Sequence, residues 1–537
     1  MAEIAHAGVA TKAQDAESSG SQGLAVLLAM AMFVLVVDTS LMNVSISAVV
    51  RDLDTTASGV QSAIALEALV SAAFILIGSK IADLIGRKRA FVIGLLGYAI
   101  GALSMTISQS LLPIVICWAV IGGLGAALLL PSMQSLIHGN FEGGMQRRAY
   151  ALVGAAAAIA AAVGPLLGGF ITTYLSWRVA FFGEVVIIAI VLVGTRRVRD
   201  VPYTGSRGVD YVGAILSSVG MGGLVLGILV WEDGGGAVGA LIATGAVALG
   251  SLVWWLKRRK REGNPALLDI NLFASKYFRL GISSQTLQQI ALGGLMITLP
   301  IYLQMVLEYN AMEAGLSLAP LSLTMFAVAL VAGKKAAGHS PGKIIRTGFM
   351  LLAAGVAVLI PIVPRADSGW SLAIPLVIAG AGLGLLVSQL NNYTLSPIEE
   401  EHVSEAAGVN SAGGSFGLSF GLAFAGAIML GSLSLVFTHE AQSSSVLTNR
   451  QQDKVASGLQ QNAEVMSNSE LEHLLKGQTP RVKEEILRIN THARPIALQI
   501  ALIVPLLAAL LGIVLGFRMT RLPDLEPSAS AENLLAG

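Results

Sequence analysis

Charge is what this chain has least of. Of its 537 residues only 12% are Asp, Glu, Lys or Arg, while 54% are hydrophobic. A soluble protein carries roughly twice that share of charge, so the composition excludes a soluble fold and defines a multispanning membrane protein. Cysteine is nearly absent. The single Cys117 lies in an apolar run, so no intrachain disulfide forms and the thiol packs as a small hydrophobe. Histidines 6, 138, 339, 402, 439, 473 and 492 all fall in tails or loops without metal-ligand spacing. No catalytic constellation, metal site or cofactor is expected. The net charge is +1 with the basic residues spread over loops, which argues against a nucleic-acid partner. Residues 1–21 are polar and lack the basic start of a signal peptide, and the apolar run that follows is too long for one.

Apolar runs are what the chain has in abundance. A helix needs about 20 apolar residues to cross a bilayer. The pattern predicts fourteen such helices, at 23–49, 59–82, 90–108, 112–137, 149–173, 178–196, 211–231, 236–256, 279–305, 313–333, 344–364, 371–395, 404–437 and 495–518. An even number puts both termini on one side. One set of loops holds Arg87, Lys88, Arg89, Arg147, Arg148, Arg196, Arg197, Arg199, Arg207, the run Lys257–Arg261, Lys276, Lys334, Lys335 and Lys343. The short loops opposite hold only Arg51, Arg178 and Arg365. The positive-inside rule assigns the basic set and both termini to the cytoplasm of a cell membrane.

The organisation expected is a tail (1–22), an N-terminal six-helix bundle (23–196) and an inserted helix pair with its loops (197–262). Helices 9–13 of a C-terminal bundle (263–437), an outer loop (438–494), the last helix (495–519) and a second tail (520–537) follow. The stretches Asn449–Met466 and Thr479–Asn490 have helical composition, so the outer loop is either a tolerated insertion or a small folded cap.

Three carboxylates interrupt the apolar runs. Asp38, Glu67 and Glu184 each lie in a hydrophobic stretch with no cation within one helical turn in sequence. A charge at membrane depth costs about 2.5–3.5 kcal/mol on insertion scales, so it faces a bundle interior or wet cavity; Asp38 and Glu67 then either mark an ion or substrate path or make a buried hydrogen bond from helix to helix. At 1.5 Å per residue, Asp38 lies roughly 22 Å along helix 1, with Glu67 about 12 Å and Glu184 about 9 Å in from the outer face. Glu184 is either part of that group or sits at the interfacial rim. The C-terminal half offers amides instead. Gln285, Gln288 and Gln289 share one face of helix 9, and Asn392 lies in helix 12. They either bind substrate or join helices.

Local motifs add to this. The turn after helix 2 reads Ser79-Lys80-Ile81-Ala82-Asp83-Leu84-Ile85-Gly86-Arg87-Lys88-Arg89. Asp83 can accept hydrogen bonds at a neighbouring helix N-terminus, Gly86 supplies a tight turn, and Arg87 and Lys88 face anionic lipid. Helix 5 carries Gly164-Pro165-Leu166-Leu167-Gly168-Gly169, where small residues allow close approach and the proline bends the helix. Helix 1 reads Val37-Asp38-Thr39-Ser40-Leu41-Met42-Asn43-Val44.

These stretches resemble the loop signature of the major facilitator superfamily and, within it, the helix 5 and helix 1 signatures of the fourteen-helix drug:proton antiporter branch. The loop departs at Ser79, where the family has glycine, and at Leu84, where it has a basic residue. The family's helix 4 signature aligns with Ala119–Ala127, but its arginine, implicated in proton coupling, is here Ala119. The resemblance implies an all-α membrane fold, two six-helix bundles plus an inserted helix pair. It further implies a monomeric, proton-coupled exporter of amphipathic or cationic compounds that works by alternating access among membrane lipids. Asp38, Glu67, Glu184, Asn43, Gln285, Gln288, Gln289 and Asn392 are then the proton and substrate residues. Asp83, Gly86, Arg87, Lys88, Gly164, Pro165, Gly168 and Gly169 are the gating ones. A lipid or metabolite transporter on the same fold, or a transport-inactive sensor or scaffold, are the alternatives.

Orientation is directly testable. In a Cys117→Ala background, cysteines replacing Ser340 and Ser444 should label from the cytoplasm and from outside respectively. Labelling of both from one side rules out the fourteen-helix topology.

Overall fold

The computed structural model describes residues 2–523 except positions 142, 198–199, 201–209, 231–235, 265, 336–339, 367, 399–402, 449–450, 453–470, 473–474 and 477. Among the described residues, fourteen helices are long and apolar enough to cross a membrane. They are α1 (Gly23–Leu53), α2 (Ala57–Ala82), α3 (Arg87–Ile107), α4 (Leu111–Ile137), α5 (Leu152–Tyr174), α6 (Trp177–Gly194) and α7 (Tyr211–Leu229). The rest are α8 (Ala237–Arg261), α9 (Lys276–Val306), α10 (Ala311–Ala332), α11 (Pro341–Arg365), α12 (Gly369–Leu395), α13 (Glu405–Ser443) and α14 (Pro480–Met519). Helices prevail because a backbone in lipid must satisfy its own polar groups. The end of the bundle that carries the Arg87 turn and the Lys257–Arg261 run is termed the basic face.

Without a hydrophobic drive between helices in lipid, small residues decide which helices meet. On α3, Gly94 and Gly97 lie against Gly125 of α4. On α11, Gly348 and Gly355 lie against Gly382 and Ala379 of α12. Gly164 and Gly168 of α5 lie against Ser40 and Leu41 of α1, while Gly417 and Gly421 of α13 lie against Thr286 and Ile290 of α9. Each pairing recurs eight helices later, 3/4 as 11/12 and 1/5 as 9/13. This repetition relates the bundle of α1–α6 to that of α9–α14. The seams between the bundles obey the same rule. α2 packs on α13 and α5 packs on α10, and the shift of eight turns one pair into the other.

The inserted pair α7/α8 breaks this symmetry. α7 packs on α2 and on α13, so it covers one seam only. Asp210 fixes its position. This buried carboxylate caps α7 by accepting the Gly213 N–H at 2.9 Å, and also accepts the Trp255 indole N–H of α8 at 2.8 Å and the Leu267 N–H at 3.0 Å. One aspartate thus joins both inserted helices to the segment leading into α9.

Two details depart from the sequence pattern. The last helix, expected from 495, begins at Pro480, and α13 runs on to Ser443. Phe437 and Ala441 of α13 share a buried cluster with Val482, Ile486, Ile489 and Ala493 of α14. Of the two outer-loop stretches of helical composition, Thr479–Asn490 forms the start of α14. Asn449–Met466 lies almost entirely outside the described residues.

Candidate functional site

The centre of the N-terminal bundle is organised around Asp38, which is 1% exposed. The Tyr98 hydroxyl of α3 donates to its Oδ2. The Trp118 indole N–H of α4 donates to both oxygens, at 3.0 and 3.2 Å. Trp118 reaches the carboxylate from a π-helical stretch, Ile114–Gly122, set within α4. Such wide turns re-aim side chains and concentrate at functional positions. Ala119, in the place of the family arginine, is fully buried in the same stretch.

Glu67 and Glu184 lie within electrostatic reach of Asp38, and Tyr98 is within reach of all three carboxylates. Glu67 is 9% exposed. Glu184 is 2% exposed, and neither of its oxygens has a hydrogen-bond partner. It is therefore enclosed by protein, within electrostatic reach of Asp38. The described ion pairs include none of the three. Arg178, the cation closest to Glu184 in sequence, is engaged elsewhere. It pairs with Asp52, donates to the Ser108 carbonyl at 2.6 Å and lies 4.5 Å from the Trp177 ring centre. Trp177 also donates to Asp52, at 3.0 Å. That clasp ties the ends of α1, α3 and α6 together and takes up Arg178, so that the described donors to Asp38 are both neutral. Asn43 lies on α1 beyond Asp38. Its amide donates to the Thr39 carbonyl at 2.9 Å, while its buried Oδ1 has no partner.

The C-terminal amides form a separate group. Gln285 and Gln289 lie beside Gly414 and Gly417 of α13. Gln288 is buried, and the buried Gln289 Oε1 is without a partner. Asn392 is exposed near the basic-face end of α12. No described hydrogen bond joins these amides to the carboxylates.

The gating residues fall at contacts between helices. Gly164 and Gly168 hold α5 against α1, whereas Pro165 and Gly169 face Gly315 and Ala311–Met312 of α10 across the seam. Gly86 has φ +98°, in the region that favours glycine, between α2 and α3. Arg87 and Lys88 open α3 and are half-buried. The backbone of Asp83 lies in the last turn of a helix that ends at Ile85. Its side chain is outside the described residues. The anion found at the start of α3 is Asp200, which accepts the Lys88 N–H at 3.0 Å.

Sequence reasoning missed Tyr98, Trp118, Asp200 and Ser47, the partner of the helix 9 amide Gln304. Ser47 of α1 donates its N–H (3.1 Å) and hydroxyl (2.5 Å) to Oε1 of Gln304 on α9, closing the two bundles on each other away from the basic face. The available signal was a tyrosine and a tryptophan deep in apolar helices. Such residues find an acceptor when buried, but spacing does not say which.

Two pseudo-symmetric bundles of membrane-crossing helices, the first built around buried carboxylates that enter no described ion pair, define a multi-pass membrane transport protein. The profile of the Major Facilitator Superfamily matches residues 28–422, and the chain belongs to that family. Among curated proteins it is 29% identical over 408 residues to the puromycin resistance protein of Streptomyces alboniger, covering 74% of this chain and 80% of that one. It is 27% identical over 412 residues to multidrug resistance protein Stp of Mycobacterium tuberculosis, covering 75% of each. It is 26% identical over 406 residues to a probable actinorhodin transporter of Streptomyces coelicolor, covering 74% and 70%. Solved structures of the same fold include a D-xylose–proton symporter, with TM-score 0.55 and 13% identity over 76% of this chain and 90% of that one. They also include a bacterial homolog of the human lysosomal transporter Spinster, inward-facing and unoccupied, with TM-score 0.59 and 12% identity over 96% and 99%.

Tyr98→Phe removes a donor to Asp38 without changing shape. It should lower thermal stability in detergent by about 1–3 kcal/mol, the worth of one hydrogen bond to a buried carboxylate. Unchanged stability means that Tyr98 does not hold Asp38 in place.

Proposed function

We propose that this protein is a proton-coupled exporter of amphipathic, preferentially cationic compounds, working by alternating access in the cell membrane with its basic face in the cytoplasm. The observation that carries the reading is Asp38, buried and held by two neutral donors, with Glu67 and Glu184 in electrostatic reach. A buried carboxylate without a cation is costly unless something compensates it. A proton and a cationic substrate are the two species that can do so, and their mutual exclusion couples one flux to the other. Ala119 removes the fixed arginine that would occupy that role permanently. One proton moving through 100 mV supplies about 2.3 kcal/mol, which holds roughly a 50-fold substrate gradient.

The bundles meet away from the basic face through Ser47–Gln304 and through Thr173, whose Oγ1 accepts the Met312 N–H at 2.9 Å. The drug-resistance names of the curated relatives support the direction of transport and the substrate class.

In proteoliposomes with an imposed pH gradient, the parent protein should drive efflux of tetraphenylphosphonium. Asp38→Asn or Glu67→Gln should abolish it, Asp38→Asn the more completely because it lies deeper and less solvated. Efflux that persists in both variants, or that never responds to the gradient in the parent, overturns proton coupling through these residues.

A further inference from the structure

α9 does not end as a regular α-helix. Its last stretch, Tyr302–Val306, is a π-turn, in which the Leu307 N–H reaches back to the Tyr302 carbonyl at 3.3 Å. Such wide turns rotate their residues away from regular helical positions and concentrate at functional places. The chain then leaves α9 through Glu308 at φ +56°, a conformation that costs a non-glycine residue and persists only where its surroundings hold it. Inside the turn lies the buried Gln304, whose Oε1 accepts the N–H and the hydroxyl of Ser47 from the other bundle.

This latch between the bundles is incomplete, because Nε2 of Gln304 is buried without a partner. An unpaired buried donor offsets much of what the two accepted hydrogen bonds contribute, so closure depends on how firmly the end of α9 is held. Packing alone does not fix it. A cavity lined by Tyr302, Met305, Met429, Leu433, Arg494 and Leu498 lies beside the turn, between α9, α13 and α14. Hydrogen bonds supply the rest. The Tyr302 hydroxyl donates to the Val363 carbonyl at the end of α11, at 2.9 Å. Arg494 of α14, 5% exposed, donates from Nη1 to the carbonyl of Met305, the residue next to Gln304, at 2.6 Å. The last carbonyls of a helix have no partner within it, and a cation there also meets the negative end of the helix dipole. Arg494 therefore stabilises this ending of α9 twice over.

Arg494 comes from a part of the chain that crossing the bilayer does not require. A span needs about 20 residues, whereas α14 runs over 40, from Pro480 to Met519. Arg494 lies one residue before the apolar run that starts at 495. The stretch that carries it packs Ile489 and Ala493 in one buried cluster with Phe437 and Ala441 of the extended α13. We infer that Arg494 is a positioning residue for the gate away from the basic face: it fixes the π-turn of α9 so that Gln304 meets Ser47 and the two bundles stay closed there. This rests on the alternating-access reading proposed above. It gives the extensions of α13 and α14 a role, which is to set how readily that side opens.

Opening can be read without transport. Ala311 is buried beside Gly169, where α5 meets α10 away from the basic face. In detergent and in the Cys117→Ala background, Ala311→Cys should react slowly with a maleimide. Arg494→Met keeps the apolar stem and removes the guanidinium, and Gln304→Met removes the latch itself. Each should speed labelling about fivefold or more, the effect of one lost hydrogen bond on an opening equilibrium. The double variant should label no faster than the faster single one, because both changes act on one contact. Ala149→Cys, buried inside the N-terminal bundle, should stay unreactive throughout and so separates gate opening from general loosening. Labelling of Arg494→Met at the parent rate, rates that multiply in the double variant, or reaction of Ala149→Cys in the Arg494→Met protein overturns the inference. Should Arg494→Met not fold, Arg494→Gln, which also lacks the guanidinium, takes its place under the same criteria. If the parent never carries tetraphenylphosphonium, the transport reading fails while these rates still decide whether Arg494 holds the latch.

Discussion

A carboxylate placed in the middle of an apolar helix bundle has to be compensated, and among the described residues no cation does so for Asp38. Asp38 receives Tyr98 and Trp118. Two neutral donors satisfy the oxygens but not the charge. The surrounding structure keeps it that way. The π-helical stretch of α4 aims Trp118 inward, Ala119 leaves the family's arginine position empty of charge, and Asp52 takes up Arg178. Glu184, buried with two unbonded oxygens, extends the same condition toward the face away from the basic loops. A site whose charge is left open is one that a mobile cation or proton can fill and vacate.

Around this site the molecule is a repeat with one asymmetry. The pairings α1/α5 and α3/α4 recur as α9/α13 and α11/α12, which makes the two inter-bundle seams interchangeable in principle. α7 and α8, pinned by Asp210 to the segment before α9, remove that equivalence. They cover the α2/α13 seam and leave the α5/α10 seam uncovered. Rigid-body rocking of two repeats around a central site is the general mode of such folds.

Much of the fold was legible because the bilayer is a strict solvent. It demands runs of about 20 apolar residues, and fourteen are present at close to the expected positions. The exception, α14, begins fifteen residues before the expected start at 495 because its first turns, from Pro480, pack their apolar side on α13 and leave charge outward. Such an amphipathic start lowers hydropathy below what marks a span. The carboxylates stood out for the same reason that they matter, as charge where charge is costly. Their partners did not. Tyr98 and Trp118 are 60 and 80 residues from Asp38, and only the assembled bundle brings these side chains of α3 and α4 to the carboxylate. Asp200 lies in a basic, loop-like stretch with nothing to mark it, yet it caps α3 from 112 residues away. The amides Gln285 and Gln289 were legible as a face but not as to which way it points, which is toward the glycines of α13.

The central claim is that proton and substrate compete for one set of buried carboxylates. Proton release on binding tests it most directly. Purified protein in weakly buffered detergent solution, mixed with tetraphenylphosphonium while the pH is followed, should release a proton on binding, and Asp38→Asn should abolish that release. Saturable binding to the parent protein with no proton released would contradict the account.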